Sequence, residues 1–106
     1  MKFGLSDATI EKIQAVLARY PQVETAVLYG SRAKGNYKPG SDIDLTLYGG
    51  EDLTLRVLLR LMSEMDDLLL PYTIDLSIYH TIDHPNLIDH IERVGIPFYE
   101  REAVVS

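Results

Sequence analysis

The chain has 106 residues, 46% of them hydrophobic and 25% charged, with a net charge of −6 from 10 basic and 16 acidic side chains. That length predicts one domain over residues 1–106, and the composition excludes intrinsic disorder and collagen-like sequence. The acidic balance disfavours a protein that grips nucleic acid by neutralising phosphates, whereas an acidic site can meet a polyanion through a metal ion between them. Cysteine is absent, which removes disulfides, thiolate zinc sites and a cysteine nucleophile. No apolar run approaches the length of a bilayer span, and Ser6, Asp7 and Glu11 interrupt any leader after Met1-Lys2. The expectation is therefore a cytoplasmic protein with no membrane partner.

The first predicted element is a helix opening at Ser6, a good N-cap, with Asp7 at the positive end of its dipole. Ile10, Ile13, Val16 and Leu17 follow at helical spacing, and Pro21 ends the segment. Val23–Tyr29 is β-branched and apolar and reads as a strand ended by Gly30. From Gly30 to Ser41 the chain is a basic, glycine-containing loop with room for one helical turn after Gly30. Asp42–Tyr48 alternates, with Ile43, Leu45 and Leu47 on one face and Asp42, Asp44, Thr46 and Tyr48 on the other, which predicts a half-buried strand.

Gly49-Gly50 predicts a turn, and Leu53–Leu69 a helix whose core stripe is Leu55, Leu58, Leu59, Met62 and Met65. Pro71 ends it. Tyr72–Tyr79 alternates again, with Ile74, Leu76 and Ile78 opposite Thr73, Asp75, Ser77 and Tyr79. A short helix over Asn86–Arg93 and a final strand around Pro97–Glu100 complete the pattern, with Val104 and Val105 beyond it as a candidate partner contact. This order predicts an α+β (mixed α/β) domain: a small mixed sheet with helices on one face.

The chemistry-bearing residues are three aspartates. Asp42 and Asp44 are two apart on one strand, so their side chains leave the same face about 6.5–7 Å apart at Cα. Asp75 stands on the next strand between Ile74 and Leu76, which point the other way. If the two strands are neighbours, three carboxylates share one face, where their repulsion calls for a cation. Hard oxygen donors suit Mg²⁺ or Mn²⁺. Upstream, the strand ends in Gly30-Ser31, where backbone N–H groups and a hydroxyl can meet a phosphate.

Gly30-Ser31, a ten-residue spacer and Asp42-Ile43-Asp44 together resemble the signature of the DNA polymerase β-like nucleotidyltransferase superfamily. The stretches Leu28–Gly35 and Ser41–Leu45 are similar to those of its minimal, MNT-type members, and Asp75 falls where the third carboxylate is expected. The resemblance implies a nucleotidyltransferase core that moves NMP from an NTP, with ATP as substrate. It implies that Gly30, Ser31 and Arg32 bind the nucleotide, and that Asp42, Asp44 and Asp75 bind the metals and catalyse transfer. It further implies a helical HEPN-type toxin as partner, for which the chain is antitoxin and which it adenylylates on a hydroxyl. Two other functions are compatible with the residues: neutralisation of the partner by contact alone, and nucleotide transfer to a small molecule.

Overall fold

The computed structural model describes residues 1–102, so Val104 and Val105 lie outside the described residues. Helix α1 (Asp7–Ala18) starts as expected: the Ser6 hydroxyl accepts from the Thr9 N–H. Strand β1 (Thr25–Tyr29) leads through Gly30 into the short helix α2 (Ser31–Lys34), and then β2 (Ile43–Tyr48). Helix α3 (Leu55–Asp67) is capped by Thr54, and Leu68 closes its end before β3 (Ile74–Ile78). A 3-10 turn over Tyr79–Thr81, helix α4 (Pro85–Val94) and strand β4 (Ile96–Glu100) follow. His84 caps α4, its Nδ1 accepting from the Leu87 N–H, with Pro85 at the first helical position where its missing N–H costs nothing.

The four strands form one sheet in the order β3-β2-β1-β4. β1 pairs antiparallel with β2 and β4, while β2 and β3 are parallel and joined by α3, the crossover that a parallel pair requires. This is the mixed α+β architecture expected from the sequence, except that the helices are not all on one face: α1 and α3 cover one side, and α4 packs on the other against Tyr29. Register turns the alternation of each strand into rows that cross the sheet. On one face Leu28, Leu45 and Leu76 lie side by side, and next to them Ala26, Leu47 and Ile78. These residues are buried with Ile13, Leu17, Val57, Leu61 and Met65 of α1 and α3, which form the expected helix layer. Among the described residues no helix is long and apolar enough to cross a membrane.

Two expectations about burial are corrected. The stripe assigned to α3 is split. Met65 is buried and Leu58 half-buried, but Leu55, Leu59 and Met62 are exposed, and the core positions belong to Val57, Leu61 and Met65. Apolar residues occupy two faces of this helix, so its periodicity has two solutions, and the expected stripe follows the outward one. The polar face of β2 is also less open than alternation implies. α4 lies across that face: its His90 meets Tyr29 edge-on, and a Cβ on Gly95 would press on Val27. Thr46 on the same face is fully buried and accepts a hydrogen bond from Ser77 Oγ at 3.0 Å.

The loop from Gly35 to Ser41 is held from inside by Arg32, which is only 2% exposed. Its guanidinium donates to the Phe3 carbonyl at 2.8 Å and twice to the Ser41 carbonyl, at 2.9 and 3.1 Å. The rings of Tyr37 and Tyr72 sit over it at 5.3 and 4.9 Å. A planar, permanently charged fork satisfies this geometry and an ammonium does not. Arg32→Met should therefore destabilise the protein by about 2–4 kcal/mol, because it strands buried carbonyls. Arg32→Lys should fail to restore most of that loss. Urea unfolding reads both, and a loss under about 0.5 kcal/mol for Arg32→Met would show that the loop does not depend on it.

Candidate active site

The same register that builds the core builds the site on the opposite face. Tyr29 pairs with Asp44, and Asp44 with Asp75, so the three side chains form one row across β1, β2 and β3. Neighbouring strands are about 4.8 Å apart, which sets the two carboxylates side by side. Asp42 stands just before β2, where the Ile43 N–H donates to the Thr73 carbonyl at 2.9 Å and ties the entry of β2 to that of β3. Asp42 and Asp75 are exposed, while Asp44 is half-buried between them.

Burial pushes the Asp44 carboxyl above the usual carboxylate range, and the charges of Asp75 and then Asp42 push it further. His90 pulls weakly the other way. Tyr29 is held above its ordinary value chiefly by burial, with the charges of Asp75 and Asp44 adding to it. The charges of Asp75 and Asp42 thus both act on Asp44, as their spacing on the strands requires. Among the described residues no group of three His, Cys, Asp or Glu side chains closes around a single point. The cluster is an open, all-oxygen donor set, the donor chemistry that a hard divalent cation prefers, with Asp44 at its half-buried centre.

Gly30 connects the row to the loop. Its φ of +76° is a conformation glycine adopts without strain, and a Cβ there would fall on the Asp44 carboxylate. The backbone thus passes against Asp44 at the point where the chain turns into Ser31. The Gly30 N–H is not idle: it donates to His90 Nε2 at 3.2 Å. Ser31 opens α2 and is half-buried, its carbonyl accepting from the Gly35 N–H at 2.9 Å.

The structure therefore brings Asp42, Asp44, Asp75, Gly30 and Ser31 to one end of one sheet face. It does not bring the Arg32 guanidinium there, because that group is committed to the Phe3 and Ser41 carbonyls. His90 joins the site without any signal in the sequence. A single histidine on a short helix 60 residues from Gly30 has no telling spacing, and only the packing of α4 over β1 reveals it.

A family model described as "Polymerase beta, Nucleotidyltransferase" matches residues 11–103. No curated protein matches the chain in sequence. Among solved structures, one described as a toxin-antitoxin with AMP-PNP is similar, with a TM-score of 0.70 at 20% identity over 88% of this chain and 74% of the other. A second, a tri-AMPylated Shewanella oneidensis HEPN toxin in complex with MNT antitoxin, gives 0.68 at 17% identity over 92% and 74%. A third, described as a nucleotidyltransferase from Sulfolobus solfataricus, gives 0.54 at 20% identity over 87% and 77%. At these identities the likeness is one of fold. The family match spans most of the chain and includes the whole sheet and every residue of the carboxylate row, so this chain belongs to the polymerase β nucleotidyltransferase family.

Proposed function

We propose that the protein transfers AMP from ATP to a hydroxyl of a partner protein, a HEPN-type toxin that it silences as antitoxin. The observation that carries this reading is the in-register row of Asp44 and Asp75 with Asp42 beside it, facing the loop that begins at Gly30. Asp42 and Asp44 would hold the divalent cations, Mg²⁺ or Mn²⁺, on the nucleotide side. Asp75 would hold the acceptor-side position. Bound there, the cations would neutralise the triphosphate and the charge that develops on the leaving pyrophosphate.

The chain's own residues supply position. Gly30 lets the backbone come close to the phosphates, and Ser31 offers its hydroxyl beside them. Asp75, exposed at the edge of the row, would take the proton of the incoming hydroxyl. The acceptor oxygen forms a bond to the α-phosphorus as the bond to pyrophosphate breaks. The acceptor must arrive oriented, and a hydroxyl on a docked protein does so, whereas a free small hydroxyl would need a pocket to hold it. The similarity to structures described as toxin-antitoxin pairs, one with AMP-PNP and one with an AMPylated toxin, supports this choice of donor and acceptor.

Three measurements test the proposal. Intact mass spectrometry of the partner after reaction with ATP and Mg²⁺ should show additions of about 329 Da, the mass of one transferred AMP residue. An unmodified partner together with efficient adenylylation of a free small molecule would refute it. Asp44→Asn, which keeps the volume and removes the ligand charge, should lower transfer by at least about a thousandfold, and calorimetry in EDTA should find ATP binding greatly weakened. Full ATP affinity without divalent metal would contradict the role given to the aspartates. Gly30→Val should abolish transfer, since its side chain meets the Asp44 carboxylate, while Ser31→Ala should cost roughly 1.5–3 kcal/mol in transition-state stabilisation. A fully active Gly30→Val enzyme would show that the loop does not serve the nucleotide.

A further inference from the structure

Helix α3 carries apolar side chains on two faces, and the fold uses one. Val57, Leu61 and Met65 enter the core. Leu55, Leu59 and Met62 recur at steps of four and three on another face and are exposed by 66%, 54% and 40%. Single exposed leucines are ordinary, but a continuous stripe over two turns is the mark of a contact surface. Beside it runs a second row at the same spacing, Arg56, Arg60, Ser63 and Asp67, all exposed and passing from basic to acidic along the helix.

We propose that this face of α3 packs against α3 of a second copy of the chain, antiparallel, about a twofold axis between Leu59 and Met62. The charge row selects both the occupant and the direction. In a parallel pair the twofold runs along the helices and turns the row of each copy away from that of the other, so these charges would not meet. The antiparallel pair sets Arg56 of each copy against Asp67 of the other, and a twofold repeats that match without any further partner. Leu59 of each copy then lies on Met62 of the other at the centre of the contact, the arrangement that buries the stripe from both sides.

The apolar stripe spans about 10 Å of helix and the charge row about 16 Å, so the contact is small, and it forms a concentration-dependent dimer rather than a permanent one. α3 lies on the sheet face opposite Asp44 and Asp75, so both catalytic faces stay open and the dimer is back to back. The inference is independent of the acceptor proposed above.

Sedimentation of the full chain over a concentration series tests it, with circular dichroism confirming that each exposed-residue variant is folded. The wild type should pass from monomer to dimer, and Leu59→Glu should stay monomeric. Arg56→Glu and Asp67→Arg should each weaken dimerisation by about tenfold or more, and the double variant carrying both should recover most of the wild-type affinity. That recovery is peculiar to self-pairing, because a foreign partner keeps its own charges. A wild type that remains monomeric throughout, or a double variant as weak as the two singles, would overturn the proposal.

Discussion

The parallel register between β2 and β3 is the constraint on which both core and site depend. It sets Leu45 against Leu76 on one face and, one residue earlier on each strand, Asp44 against Asp75 on the other. A shift of one residue in either strand would exchange apolar and acidic faces. The hydrophobic burial that fixes the register therefore also fixes the carboxylates. It holds Asp44 half-buried beside Asp75 and Asp42, and burial first and then those charges raise the Asp44 carboxyl. Stability is given up locally for a charged cluster that a cation can complete, a trade often found where function needs a strained site.

The loop between β1 and β2 answers to a second constraint, the burial of Arg32. Its guanidinium gathers carbonyls from Phe3 and Ser41 and is covered by Tyr37 and Tyr72, so the N-terminal segment, the loop and the approach to β3 are joined around one cation. The loop begins at Gly30 against Asp44 and ends at Ser41, next to Asp42. Holding the loop thus sets both of its ends, which lie beside Asp44 and Asp42. Arg32 is thus tied to the carboxylate row through this loop, its own guanidinium being taken up by backbone carbonyls.

Much of this is legible in the sequence because period-two alternation is a local signal. Alternation alone puts Ile43, Leu45 and Leu47 opposite Asp44, and the capping preference of Ser6 alone marks the start of α1. What is not legible depends on which face meets which neighbour. Leu55, Leu59 and Met62 look like core by type, and only the packing of α3 on the sheet shows that Val57 and Leu61 are the inward residues. Arg32 reads as a nucleotide contact until Phe3, 29 residues away, supplies its acceptor. Thr46 reads as solvent-facing but is fully buried in the folded sheet, and His90 has no meaning until it meets Gly30.

If the carboxylate row is an electrostatic cost that a divalent cation relieves, the cost must appear in the metal-free protein. The Asp44 carboxyl is raised in the folded chain, so the folded state holds this proton more tightly than the unfolded state does. Its contribution is present below the unfolded-state value and is lost as pH rises through the folded-state value. Thermal unfolding of the wild type and of Asp44→Asn, in EDTA and with Mn²⁺, measures this most directly. At neutral pH in EDTA the asparagine variant should melt a few degrees above the wild type, the gap should close as pH falls, and Mn²⁺ should raise the wild type far more than the variant. A wild type that melts above Asp44→Asn in EDTA and ignores Mn²⁺ would contradict the assignment of these aspartates to a metal.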